Sequence, residues 1–255
     1  MTGRSGAKPR SITSQAQRPG GLLRILAIDT TTRAGSTAVL DDQQVLHEAI
    51  GDATATHGER LPAEIGRTLA AAGVALESVE LLAVIAGPGS FTGLRVGIAS
   101  MQGLAFARGL KIVPVSALDA IASQARREAR IPGPIAAWVD AHRGEVFAAL
   151  YDGMPPSELT VPTAAVPEQT LRLHADAAAG RPIFFAGDGA VRYRDVIEST
   201  LGDQAGIQAH APVLAAEAGR LAALHPGRAV APDAVVPIYV RRPDAEIARD
   251  KARAT

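Results

Sequence analysis

The run Val84-Ile-Ala-Gly-Pro-Gly-Ser-Phe-Thr-Gly-Leu-Arg-Val-Gly97 restricts the fold more than any other stretch of this chain. Its apolar start reads as a buried strand, its glycines as a rigid turn, and its end as the opening of a helix. That helix has an uncommon composition: from Leu94 to Ala107 only Arg95, Ser100 and Gln102 are polar. A helix resting on a sheet needs one apolar stripe. Leu94, Ile98, Met101 and Ala105 supply it at about 100° per residue. Val96, Ala99, Gly103, Phe106 and Ala107 then fall roughly opposite. A helix apolar on two faces is either enclosed within its domain or covered by a partner. The partner reading is carried forward here, with Val96, Ala99, Gly103 and Phe106 toward the partner.

Around this unit the chain reads as a duplicated α/β protein. Leu22 to Asp29, Ser36 to Leu40 and Val45 to Ile50 have strand character, with Asp41 and Asp42 supplying a turn. A helix follows, with Thr56 and Glu59 spaced as a capping box and Leu61, Ile65 and Leu69 as its stripe. Pro62 conflicts with that cap, so the helix either starts nearer Leu61 or is kinked. Lys111 to Val115 is a further strand, and Ser116 with Asp119 caps the next helix. Ile131-Pro-Gly-Pro134 links to a second lobe that repeats the first. Asp29 and Asp140 each end an apolar strand and are each followed by another aspartate twelve residues on. The glycine turn also recurs, as Phe184-Phe-Ala-Gly-Asp-Gly189. Two matches in the same order indicate a duplicated unit, and hairpin strands ahead of helices favour mixed sheets over parallel ones. The expected divisions are a disordered basic leader at 1–21, a first lobe at 22–130, a second lobe at 131–235 and a C-terminal segment at 236–255.

Composition removes several function classes. Basic and acidic residues balance at 26 each, so the counterion release that drives solitary binding to nucleic acid is weak. There is no cysteine, which excludes disulfides, thiolate metal sites and cysteine nucleophiles. The six histidines are scattered outside any metal-binding motif, so no metal is expected on this chain alone. No apolar run is long enough for a membrane span, and the leader has no apolar signal core. A cytoplasmic protein is expected. The leader's arginine, serine and lack of acid also fit a transit peptide, a weaker reading.

The candidate chemistry is sparse. Asp29 and Thr30, with Gly87, Gly89, Gly187 and Gly189 in the two turns, could be the relic of a nucleotide site. The plainer reading of Asp29 is a turn in which it satisfies its own backbone. The glycine turn has neither the spacing nor the Lys-Ser/Thr end of a P-loop. Asp140, Arg143 and Glu145 flank a tight turn that an ion pair would brace. Ser90 has no base beside it, His57 stands without a second histidine four residues on, and no catalytic set emerges.

Five segments in order resemble the TsaB family of bacterial tRNA-modification proteins. They are Ile25–Thr30 with Ser36–Leu40, Ala86–Gly97 with Gln102-Gly-Leu104, Val115–Leu118, Asp140–Phe147 and Pro237–Arg241. The resemblance covers about Leu22 to Arg241. It implies a two-lobed actin/hexokinase-like fold and a non-catalytic subunit that pairs with the catalytic subunit TsaD and is joined by the ATPase TsaE. Together these transfer threonylcarbamoyl to adenosine next to the anticodon of tRNA. By the same resemblance the chain holds no cofactor alone, and ATP and a metal belong to the partner complex; a homodimer of the isolated chain is left open by the sequence. The first helix, through Leu61, Ile65 and Leu69, is expected to join the partner face. The alternative is a small-molecule kinase or ATPase of the same superfamily, using Asp29 and the glycine turns around ATP.

Overall fold

The computed structural model describes residues 21–130 and 132–241; the expected leader, apart from Gly21, and the end of the C-terminal segment lie outside them. The first lobe runs β1 (Arg24–Asp29), β2 (Ser36–Asp41), β3 (Gln44–Ile50), α1 (His57–Ala71), β4 (Leu81–Gly87), α2 (Phe91–Arg108), β5 (Ile112–Ser116) and α3 (Ala117–Ala129). The second runs β6 (Ile135–Asp140), β7 (Val146–Asp152), β8 (Ser157–Glu158), β9 (Thr163–Ala165), α4 (Pro167–Ala178), β10 (Ile183–Ala186), α5 (Asp188–Arg192), α6 (Arg194–Leu201) and β11 (Ala205–Ile207). A last helix, α7 (Ala215–Leu224), follows.

The duplication is explicit in the sheets. The first has the order β3-β2-β1-β4-β5 and the second β8-β7-β6-β10-β11. In each, the central strand pairs antiparallel with its hairpin partner and parallel with the strand of the glycine turn. Both sheets are mixed, and the two-lobed α/β architecture agrees with the expected fold class.

Apart from polar residues at their ends, the central strands are apolar because both of their faces are covered. Ile25 and Ala27 of β1 point into a core shared between the lobes, while Leu26 and Ile28 point into a core under α1 and α2. β6 divides in the same way: Ile135, Ala137 and Val139 enter the shared core, and Ala136 and Trp138 enter the core beneath α4 and α6.

The helix starts follow local chemistry. At α1 the Glu59 carboxylate accepts the backbone N–H and the hydroxyl of Thr56, at 2.9 and 2.7 Å. The capping box therefore prevails over Pro62, which sits exposed inside the helix. The residue four positions before Pro62 is Gly58, whose surroundings are open. At α2 the Ser90 hydroxyl accepts from the Gly93 N–H (3.3 Å), and Gly109 closes the helix in the left-handed conformation.

One expected boundary is corrected. The second lobe does not continue to 235, because α7 returns to the first. Ala215 donates to Ser36 (3.1 Å), Ala216 donates to Glu48 (2.8 Å), and Gly219 lies against Leu40 with no room for a Cβ. Val230 then bridges to Ile112, and Val235 enters the core under α2.

Candidate partner face and interlobe cleft

Leu94, Ile98, Met101 and Ala105 of α2 are all buried, the last three in the core over the first sheet. Ala99, Gly103, Phe106 and Ala107 are exposed, Phe106 to 86%. Val96 is half-buried and turns toward the cleft between the lobes. An aromatic ring left in water forgoes roughly 1.5–3 kcal/mol of burial, and here it stands beside a strip of small residues that lets another backbone come close.

The expectation for α1 needs correction. Leu61 and Leu69 are 1% and 6% exposed and belong to the core, and Ile65 packs against it. The stripe anchors α1 to the sheet and is not available to a partner. What α1 offers beside α2 is Pro62, Ala63, Gly66 and Ala70, all exposed. The second lobe supplies an internal comparison. The corresponding helices α4 and α6 expose Glu168, Gln169, Arg172, Asp176, Asp195, Glu198, Ser199 and Thr200, with Leu173 among them. The same architecture thus exposes mostly polar residues in one lobe and, alongside Glu59, Arg67, Thr92 and Arg95, a strip of small and apolar ones in the other.

Below the cleft, the residues expected as a nucleotide relic are packed against the chain itself. Asp29 is buried, and its Oδ1 accepts from the N–H and the hydroxyl of Thr31, at 2.8 and 2.6 Å. Burial pushes this carboxyl up, and the Thr31 hydrogen bonds offset only part of the effect. Thr30 is fully buried. A Cβ on Gly93 would meet the Thr30 carbonyl, and one on Gly97 the Thr30 hydroxyl. Gly89 lies against the Thr31 side chain, and Gly87, at φ +125°, against the carbonyl of Ile238. In the second lobe Gly187 and Gly189 lie on the backbone of Trp138 and Val139. Both turns need glycine so that one strand end can approach another.

The cleft is about 690 Å³ and is lined by Thr31, Thr32, Arg33, Thr54–Gly58, Ser90, Thr92, Gly93, Val96, Asp140, His142 and Asp188. None of Asp29, Thr30, Gly87, Gly89, Gly187 and Gly189 is among the lining residues. Asp188 accepts from the N–H groups of Asp140 (3.1 Å) and Gly189 (2.9 Å), and burial raises its carboxyl. Among the described residues, no group of three or more His, Cys, Asp or Glu side chains is placed to hold a metal ion.

His57 is tied into the first-lobe wall. Its Nε2 lies 2.9 Å from the Thr32 carbonyl and its Nδ1 2.9 Å from the Arg60 guanidinium. Arg60 can only donate, so the imidazole proton belongs on Nε2. Arg60, which sequence reasoning missed, is the organiser of this wall. It pairs with Glu64 in a buried bridge and donates to the carbonyls of Arg33 and Ala34. Its spacing of four from Glu64 was the readable signal. Glu145, expected in a local turn pair, meets the distant Arg241.

The family model for TsaD, tRNA N6-adenosine threonylcarbamoyltransferase, matches residues 41–249. The chain is 42% identical over 126 residues to the tRNA threonylcarbamoyladenosine biosynthesis protein TsaB of Haemophilus influenzae, covering 49% of this chain and 52% of that one. It thus spans about half the length of that curated relative. Against TsaB of Bacillus subtilis it is 30% identical over 185 residues, covering 71% of this chain and 77% of that one. A crystal structure from Pseudomonas aeruginosa, described as an uncharacterized protein with similarity to peptidase YeaZ, superposes with a TM-score of 0.71. That structure is 31% identical and is covered to 99%, over 86% of this chain.

Proposed function

Because the chain belongs to the TsaB family, we propose that it takes part in tRNA threonylcarbamoyladenosine biosynthesis as a non-catalytic subunit that binds and supports a TsaD-like catalytic subunit. The observation that carries this reading is the exposed face of α2, with Ala99, Gly103 and Phe106 beside the small residues of α1. Small residues over two neighbouring helices, next to an exposed aromatic ring, suit a helical partner that packs closely and buries the ring. In the non-catalytic reading these glycines serve packing, since Gly89, Gly93 and Gly97 lie directly against Thr30 and Thr31. In this reading a TsaE-like ATPase joins the pair, tRNA is engaged through the complex, and ATP and a metal ion enter with the partners. Self-pairing of the isolated chain would use the same α2 face, and the assembly would work in the cytoplasm.

The test is to mix the purified chain with the TsaD-like protein of the same cell. A stable complex by gel filtration is expected, with threonylcarbamoyl transfer only when the catalytic partner is present. Failure to associate at micromolar concentration overturns the proposal. So does robust ATP turnover by this chain alone that Asp29→Ala abolishes.

A further inference from the structure

The last described segment, 232–241, touches both lobes, and its two attachments differ in kind. On the first lobe the Ile238 N–H donates to the Ala86 carbonyl (2.7 Å), and the Gln102 amide donates to the carbonyls of Pro232 and Val235 (2.8 and 3.0 Å). Val235 is buried, and Tyr239 stacks on Phe91 with ring centres 5.6 Å apart. On the second lobe its polar contacts are those of Arg241 among the described residues. The guanidinium donates to the Glu145 carboxylate and to the Ala141 carbonyl (3.0 Å), and lies 5.5 Å from the centre of the Phe147 ring. Backbone pairing and burial hold the first attachment. The second is an ion pair whose members are 31% and 32% exposed, a setting where such pairs are weak and screened by salt.

The turn that Arg241 grips has a backbone that side chains avoid. His142, Arg143 and Gly144 follow one another at φ +57°, +55° and +79°. Such a run persists only where its surroundings enforce it. Asp140 and His142 beside it form the second-lobe wall of the cleft.

We propose that Arg241 is a releasable latch: engaged, it holds the 141–145 turn and the angle between the lobes, and released, it lets the cleft wall bearing Asp140 and His142 move away from the first lobe. The segment would stay on the first lobe, because only its second-lobe end is readily exchanged for water and salt. The latch is a property of the isolated chain and does not depend on a partner.

The absence of cysteine makes the test direct. Glu77→Cys and Glu168→Cys, both at exposed positions and one in each lobe, accept spin labels on the full chain. At low salt the parent should give one narrow interlobe distance. Arg241→Ala should shift or broaden it beyond the parent's width. Glu145→Gln, which keeps the shape and removes the charge, should do the same to a smaller extent. Raising salt to about 0.5 M, where screening reaches only a few ångströms, should move the parent toward the Arg241→Ala distribution and leave that variant unchanged. If Arg241→Ala is too unstable to label, Glu145→Gln decides. An interlobe distance that neither substitution nor salt alters overturns the latch.

Discussion

Gly97 and Gly103 sit on one helix in opposite environments, and alanine separates them. A methyl at Gly97 would overlap the hydroxyl of the fully buried Thr30, while nothing lies within 4 Å of one at Gly103. Gly97→Ala should therefore destabilise the chain by about 1–3 kcal/mol through overpacking. Gly103→Ala should stabilise it by roughly 0.5–1 kcal/mol, because glycine loses more backbone freedom on entering a helix. Thermal melts should move in opposite directions, and a lower midpoint for Gly103→Ala would contradict its open position. His174 makes a prediction about pH. It is fully buried, its Nδ1 accepts from the Trp138 indole N–H (3.3 Å), and burial lowers its pKa to about 4. Its Nε2 finds no hydrogen-bond partner among the described residues. Unfolded, the ring takes up a proton below about 6.5, and the folded chain resists until about 4. Its contribution to stability is thus complete above about 6.5 and is lost as pH falls toward 4. The loss is on the order of 3 kcal/mol. Asp29 and Asp188, raised by burial, act in the opposite sense: they stabilise at low pH, and this is lost as pH rises through their folded values. His174→Gln should remove the first effect alone. Urea melts of the parent and the variant should diverge in slope between pH 6.5 and 4; parallel profiles would show that the ring is protonated without cost.

At the scale of the element, α2 is held by one face and offers the other. Ala99→Arg should leave the isolated chain folded, since position 99 faces solvent. In the proposed complex it would bury an unpaired charge and cost association on the order of 3 kcal/mol or more. Ile98→Arg puts the same charge into the core and should unfold the chain outright. Circular dichroism melts with a pull-down by the TsaD-like subunit distinguish the two. Equal damage to the isolated monomer would mean that position 99 is internal. The same logic redirects attention on α1: substitutions at Ala63 or Gly66 should weaken pairing, whereas those at Leu61 or Leu69 act through the fold.

For the whole molecule, the shared core sets the cooperativity. It takes in Ile25, Leu40 and Ile85 from the first sheet, Ile135, Val139 and Phe147 from the second, and α3 and α7. Two lobes joined by one core should unfold together. The single tryptophan, Trp138, is buried in the second lobe and reports on it separately. Its fluorescence and far-UV circular dichroism should give coincident denaturation curves. A first-lobe cavity such as Leu26→Ala, about 2–5 kcal/mol by its burial, should shift both midpoints alike. A tryptophan transition that ignored this substitution would mean the lobes unfold independently.

What the sequence determined by itself was set by short-range pattern. Strands covered on both faces are unbroken apolar runs, as in Ile25–Ile28 and Leu81–Ala86, so the sheets and their duplication were legible. The two apolar sides of α2 were legible for the same reason: helical periodicity assigns each residue to a side, and Leu94, Ile98, Met101 and Ala105 occupy the buried one. Periodicity does not say what a side will meet. The stripe Leu61, Ile65 and Leu69 marked a packed face without naming the sheet as its neighbour. The sequence reading placed no element at Ala215, Ala216, Ala218 and Ala222, the buried face by which α7 crosses back to the first lobe. Only the tertiary structure decided that the glycine turns are filled by Thr30, Thr31 and Trp138, that Arg60 organises the cleft wall and that Arg241 reaches Glu145. Each of these depends on a contact between residues far apart along the chain or on the space left between packed strand ends, and neither is encoded in any local spacing.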